Sequence, residues 1–336
     1  MSYDFKKVLV TGGAGCIGMA VCDELFKRGV KVVLFDLYEQ IATVKSYIRD
    51  GIDIFYGSIL DETSIREAIR GCDGIVHLAA YLGVRRTELN SLRCLDININ
   101  GTKKVLDAAV NANVKKIIFS SSSEVYGEPI NNPITEDEIT QGKTVYAVSK
   151  LASEELIKAY NAEHEKLEYT ILRYFNTYGP YQIAQFVVPK FIRNVINGKP
   201  PVIYGSGKQE RSYNYSDDTA RATVDTLLSN STNGEIMNIG NSDSLISLVD
   251  LGNLIIDICG KRGTLKVKVK NSFEGTDRSE KREIYQRYCS TEKAKRLINY
   301  EPKVSIIDGI KKVIETGVPQ PVWATSEREY KIGNYE

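Results

Sequence analysis

The sequence predicts an α/β protein: a doubly wound parallel sheet followed by a smaller C-terminal mixed α/β substrate domain. Three observations predict it. Short apolar runs alternate with helix-like segments through the first half of the chain. Gly12, Gly15 and Gly18 stand between the first such run and the first helix. The serine run Ser120, Ser121, Ser122, Ser123 and the pair Tyr146 and Lys150 then follow later in that alternation. In an open parallel sheet, all three groups fall beyond the carboxyl ends of the strands, where such sheets bind ligands.

Taken in order, residues 6–10 form a buried strand that ends at the glycines, and residues 19–28 a helix stopped by Gly29. Residues 31–35 are a second strand closed by Asp36, an acidic residue about twenty positions past the glycines. Glycine in this setting lets the backbone approach a pyrophosphate, and the helix N-terminus faces its charge. Asp36 accepts from ribose hydroxyls and repels a 2′-phosphate, which favours NAD over NADP. Strands follow at 52–56, 74–80, 115–120 and 168–173, with helices at 64–70, from about 91 to 111 and at 146–163. The strand at 74–80 ends in small residues that a cofactor can approach. After Arg173 the character shifts to a loop at 174–180, Gly/Pro turns and short elements. The expected division is a dinucleotide-binding domain over 1–175 and a second domain over 176–336. A segment near 211–230, helical from Asp218 to Leu228, returns to the first. The tail from about Val322 shows no periodicity.

Composition narrows the function. With 336 residues the chain can bury a large core. Lys+Arg (44) and Asp+Glu (43) nearly cancel, so no nucleic-acid or membrane partner is expected. No apolar run is long enough to span a bilayer. Six cysteines without a C-x-x-C spacing read as reduced thiols in a cytoplasmic protein, and two distant histidines argue against a histidine metal site. Tyr146 and Lys150, four apart on a helix, share one face. An ammonium one turn away favours the phenolate, which makes Tyr146 a candidate acid/base.

These motifs identify a resemblance. T-G-G-A-G-C-I-G (11–18), H-L-A-A (77–80), N-I-N-G-T (98–102) and S-S-S-E-V-Y-G-E-P (121–129) occur in order. Y-A-V-S-K (146–150), L-R-Y-F-N-T-Y-G-P (172–180), M-N-I-G-N (237–241) and the stretch 290–304 follow. The chain resembles the extended short-chain dehydrogenases that act on nucleotide-diphosphate sugars, the epimerase/dehydratase group, over nearly its whole length. That resemblance implies a Rossmann domain holding NAD against Gly12, Gly15, Cys16, Ile17, Gly18, Asp36, Ser58, Ile59, Leu78, Ala79, Ala80, Ser120, Tyr146 and Lys150. It implies oxidation of the sugar, usually at C4, with Tyr146 taking the hydroxyl proton, Lys150 binding the nicotinamide ribose and Ser122 polarising the C4 oxygen. Ser123, Glu124, Asn176, Arg211 and either Arg278 or Arg282 are the further substrate contacts it implies, and Asn98 is expected to brace the backbone. Where relatives often place Asp against the adenine, this chain has Ser58.

Glu124 bears on the outcome. A carboxylate here can remove a C5 proton, and the well-known 4,6-dehydratases pair it with a preceding Asp, where this chain has Ser123. A 4-epimerase with catalysis by Tyr146, Lys150 and Ser122 is therefore the leading expectation, Glu124 being a binding residue there and the further catalytic candidate in the alternatives. A 4,6-dehydratase or a sugar-acid decarboxylase is the alternative, and a non-catalytic NAD-sensing protein the remote one. The resemblance also implies a homodimer through the helices at 91–111 and 146–163.

Overall fold

The computed structural model describes residues 2–243, 245–270 and 284–317. The first half runs β1 (Lys7–Thr11), α1 (Cys16–Lys27), β2 (Lys31–Asp36), α2 (Tyr38–Val44), β3 (Asp53–Tyr56), α3 (Glu62–Ala68) and β4 (Gly74–His77). It continues with α4 (Val84–Leu89), α5 (Ser91–Leu95), α6 (Gly101–Asn111), β5 (Lys116–Ser122), α7 (Val145–Glu163) and β6 (Glu168–Tyr174). Then come β7 (Thr177–Tyr178), α8 (Val187–Ile196), β8 (Val202–Tyr204), β9 (Glu210–Ser212), β10 (Asn214–Tyr215), α9 (Ser216–Leu228) and β11 (Glu235–Ile239). The last are β12 (Leu245–Ser247), α10 (Leu248–Ile258), β13 (Lys268–Lys270), β14 (Gln286–Arg287), α11 (Glu292–Ile298) and α12 (Ile306–Thr316).

Seven parallel strands form one sheet in the order β11-β6-β5-β4-β1-β2-β3. The order reverses between β1 and β4, which makes that gap the topological switch point. The continuous apolar runs follow from burial on both faces. Val8 and Val10 of β1 point into one core with Met19, Leu25, Ala220 and Val224, while Leu9 points into the other with Ile65, Val105 and Ile157. Helices α1 and α9 therefore cover one face, and α3, α6 and α7 the other.

Two expectations need correction. Residues after 175 do not form a wholly separate unit, and the return extends past 230: Glu235–Ile239 pairs with β6 as the sheet's seventh strand. A five-residue edge strand has no helix-period context of its own, and its partner lies far back in the chain. The long helix over 91–111 is interrupted by a π turn at Asp96–Asn100 between α5 and α6. Beyond the sheet, α8, α10 and α12 close on a second core of Phe191, Ile192, Leu251, Ile255 and Ile310, flanked by small two- and three-stranded sheets.

Candidate active site

The loop after β1 is shaped by close approach. Gly12 has φ +70°, and a Cβ there would stand 2.6 Å from the Ala79 amide at the end of β4. A Cβ at Gly18 would collide with the Gly12 carbonyl, so α1 sits hard against the loop. Gly15 caps α1 in an extended conformation with no side-chain bond, and Cys16 and Ile17 open the helix. The first-turn N–H groups thus face the switch point with no side-chain cap, as an anion requires. Asp36 accepts from Ala14 N at 3.0 Å and Leu37 N at 2.8 Å. Burial pushes its carboxyl up to about 6, against the pull of those two amides.

Around this loop, Ser58 Oγ accepts from Leu60 N at 3.2 Å, and Ile59 is buried where any Cβ on Gly101 would meet it at 2.7 Å. Leu78, Ala79 and Ala80 lie half-exposed at the end of β4. The cradle, the acidic strand end and the small-residue edge fit a dinucleotide. His77 lies behind them, its ring between Thr11 Oγ1 at 2.6 Å and Thr102 Oγ1 at 3.1 Å. Burial, with Lys150 nearby, holds it down at about 3, a neutral imidazole in a structural role.

Helix α7 delivers the pair. Thr144 caps it, its hydroxyl accepting from Ala147 N at 3.1 Å and donating to Glu124 Oε2 at 3.2 Å. Lys150 Nζ donates to the Ser120 carbonyl at 2.8 Å and stands 4.8 Å from the Phe119 ring centroid. Burial lowers its pKa to about 8, with Cys94 and Glu154 pulling the other way. Tyr146 presents its ring 5.7 Å from Lys150 Nζ. Its phenol is pushed well above the ordinary value, first by burial, then by the Glu124 and Cys94 charges, while the nearby Ser122 hydroxyl pulls it down. The expected lowering by Lys150 is therefore not the outcome: burial and a carboxylate neighbour outweigh a cation that lies beside the ring. The structure does bring Tyr146, Lys150, Ser120, Ser122 and Glu124 to one sheet edge beside the glycine loop.

On the far side the placements are mixed. Ser123 is buried just past the end of β5. Asn176 takes φ +23° and gives Nδ2 to Ser212 O at 3.2 Å, tying the loop after β6 to β9. Arg211 gives its Nη1 to Glu210 O at 2.8 Å and Tyr285 O at 3.3 Å, and its Nη2 to Ile284 O at 2.6 Å. These backbone acceptors engage the guanidinium expected to hold a diphosphate. Arg278 and Arg282 lie outside the described residues. Asn98, in the π turn, accepts from Tyr81 N at 2.7 Å and donates to Ser149 Oγ at 2.9 Å, so it braces α7 as expected. Thr144 was not among the expected site residues. Its signal was a Ser/Thr immediately before the first helical turn.

All six cysteines are unpaired thiols. Among the described residues, no group of three or more His, Cys, Asp or Glu could hold a metal ion, and no helix is long and apolar enough to cross a membrane.

Comparison with known proteins follows the same geometry. Residues 8–240 match the model of the NAD dependent epimerase/dehydratase family. The chain is 34% identical over 319 residues to a UDP-N-acetyl-alpha-D-glucosaminuronate decarboxylase of Bacillus cytotoxicus, covering 92% of this chain and 97% of the other. It is 32% identical to a putative UDP-glucose 4-epimerase of Methanocaldococcus jannaschii, covering 91% and 97%. Among solved structures, the UDP-glucuronic acid 4-epimerase of Bacillus cereus, in complex with UDP-glucuronic acid and NAD, superposes with a TM-score of 0.81 at 30% identity, over 92% of this chain and 98% of that one.

Proposed function

The chain belongs to the NAD dependent epimerase/dehydratase family, and from that premise we propose that it is a nucleotide-diphosphate-sugar 4-epimerase. The observation that carries this reading is a single acid/base centre. Ser122 stands close enough to Tyr146 to pull its phenol down, Lys150 Nζ lies 5.7 Å from the Tyr146 ring centroid, and the position before Glu124 holds the buried Ser123 rather than a second acid. Oxidation and return at C4 need one group that accepts and gives back a proton, whereas expelling a C6 hydroxyl needs another to protonate it.

Gly12, Gly15, Gly18 and Asp36 would hold the dinucleotide, and Lys150 would take its nicotinamide ribose. NAD, when bound, would supply the hydride acceptor. Tyr146 takes the C4 hydroxyl proton and later returns it, while Ser122 donates to the same oxygen as charge develops there. Lys150 is anchored on Ser120 and keeps donors for the ribose. Glu124, fixed by Thr144, binds the sugar on the C5–C6 side. The protein works in the cytoplasm as a homodimer through α5, α6 and α7, where Leu92 and Val148 are 85% and 46% exposed. Sedimentation at micromolar concentration should give the dimer mass, and a monomer there removes that part of the proposal.

A second reading, decarboxylation of a sugar acid, is favoured by Glu124 and by the 34% identity to a UDP-N-acetyl-alpha-D-glucosaminuronate decarboxylase. One experiment separates them. UDP-glucose, UDP-N-acetylglucosamine and UDP-glucuronic acid are incubated with the holoenzyme in D₂O and followed by NMR. The C4 epimer without carbon-bound deuterium is the expected product. Deuterium at C5 with loss of CO₂ makes it a decarboxylase. A 4-keto-6-deoxy sugar carrying deuterium, abolished by Glu124→Gln, makes it a dehydratase.

A further inference from the structure

Behind the candidate site lies a charged pair that its chemistry does not use. Glu154 of α7 and Arg173 of β6 are 1% and 4% exposed. Arg173 Nε meets Glu154 Oε1 at 3.1 Å and Nη2 meets Oε2 at 2.8 Å, a bidentate fork. The third arm, Nη1, donates to Tyr126 Oη at 3.0 Å, which in turn donates to Asn238 Oδ1 of β11 at 2.7 Å. Such a pair is weak evidence of stability, because desolvating both charges offsets most of their attraction. Its placement is more informative.

Two consecutive residues of β5 are tied to α7, and the next carries the site hydroxyl. The Ser120 carbonyl accepts from Lys150, Ser121 Oγ donates to Glu154 Oε1, and Ser122 follows directly, close enough to Tyr146 to pull its phenol down. Lys150 and Glu154 are one helical turn apart, and Ser121 is the ladder neighbour of Arg173. Glu154 thus clasps the strand to the helix at the residue just before Ser122, and Arg173 holds its carboxylate from the adjacent strand.

We propose that Glu154 and Arg173 are positioning residues: they set the register of Ser122 against Tyr146 and support the charge of Lys150. The proposal rests on the reading that Tyr146, Lys150 and Ser122 oxidise a nucleotide sugar. The ionisable groups facing Lys150 are Cys94 from α5, His77 from β4, and Tyr146 and Glu154 from α7. Tyr126 and Glu136 face the pair from its other side. Cys94 first, and then Glu154 one turn away on α7, favour the Lys150 ammonium. Arg173 holds both oxygens of that carboxylate, so a variant that removes the Glu154 charge alone leaves the guanidinium charge without its partner, and that like charge opposes the ammonium.

The test uses the full chain with NAD, native and as Glu154→Gln and the charge-free double variant Glu154→Met with Arg173→Met. Lys150 is followed by NMR in protein carrying ¹³C-labelled lysine, assigned with Lys150→Arg, and turnover is followed on the converting UDP-sugar. The Lys150 midpoint should fall in the order native, double variant, Glu154→Gln, the last by about one pH unit. The high-pH limb of turnover should move with it. In the double variant kcat should fall by roughly 10²-fold with KM little changed, since the misplaced groups act in the transition state. A folded double variant with native kcat, or a midpoint unmoved in Glu154→Gln, overturns the proposal. If Glu154→Gln does not fold, the double variant decides alone, because apolar replacement of a buried pair is tolerated. Should no sugar be converted, the functional reading fails while the Lys150 midpoints still test the pair.

Discussion

The two ends of β5 each hold a buried lysine, and the two are used in opposite ways. Lys116 begins the strand and donates to Thr226 O at 2.9 Å, Ser229 O at 2.7 Å and Thr232 Oγ1 at 2.8 Å. All three ammonium donors are spent closing the end of α9 onto the sheet, where helix carbonyls favour a cation. Lys150, packed at the other end, has one hydrogen-bond partner among the described residues, the Ser120 carbonyl. Burial lowers both, Lys116 to about 7 and Lys150 to about 8. Depth and titration therefore do not tell the working lysine from the structural one. The difference lies in how many donors the protein leaves for a ligand.

The comparison breaks most visibly on substitution. Lys150→Met should lose turnover by roughly 10²–10⁴-fold while the denaturation midpoint stays near native, since few protein bonds are lost. A variant that turns over normally would place Lys150 with Lys116 as structural. Lys116→Met should do the reverse, losing about 3 kcal/mol of stability in urea titration as buried acceptors go unpaired, with kcat of the folded protein retained. If activity falls in step with Lys150→Met at unchanged stability, the two ends are not distinct.

Asp36 extends the contrast to an acid at the site edge. Each carboxylate oxygen takes one backbone N–H, which leaves acceptor capacity for ribose hydroxyls. Folding raises its pKa to about 6, above the unfolded value, so the folded chain holds the proton more tightly. In the free protein Asp36 therefore favours folding at low pH, and that contribution is lost as pH rises through about 6. NAD binding carries the opposite sign, because it needs the carboxylate. Calorimetric affinity should be flat above pH 7 and weaken by up to about tenfold per unit below 6. Affinity independent of pH from 5 to 8 would remove Asp36 from the ribose contact. The smallest effect belongs to Thr144→Ala, which deletes the cap of α7 and its bond to Glu124. It should lower stability by about 1 kcal/mol, with Thr144→Ser restoring most of it. No change in melting would mean that the cap contributes nothing.

The sequence alone determined what is local. Glycine spacing, the acid closing β2 and the four-residue step from Tyr146 to Lys150 follow from single turns and single strands, so they are legible without knowing what packs on them. Alternating apolar runs likewise specify a parallel sheet, because only strands buried on both faces lack polar positions. Tertiary structure decided what depends on residues far apart in the chain. Glu235–Ile239 became the seventh strand only by meeting β6, and Lys116 was marked as structural only by carbonyls more than a hundred positions on. Arg211, which the resemblance implies as a diphosphate contact, has its guanidinium tied to the backbone at Ile284 and Tyr285, partners some seventy positions on that the chain does not announce. The shift of Tyr146 runs opposite to what its helix neighbour suggested, because burial in the folded core, and then Glu124 from another element, push it up. Periodicity reports which face a residue takes, whereas its partners across the core leave no pattern in the chain.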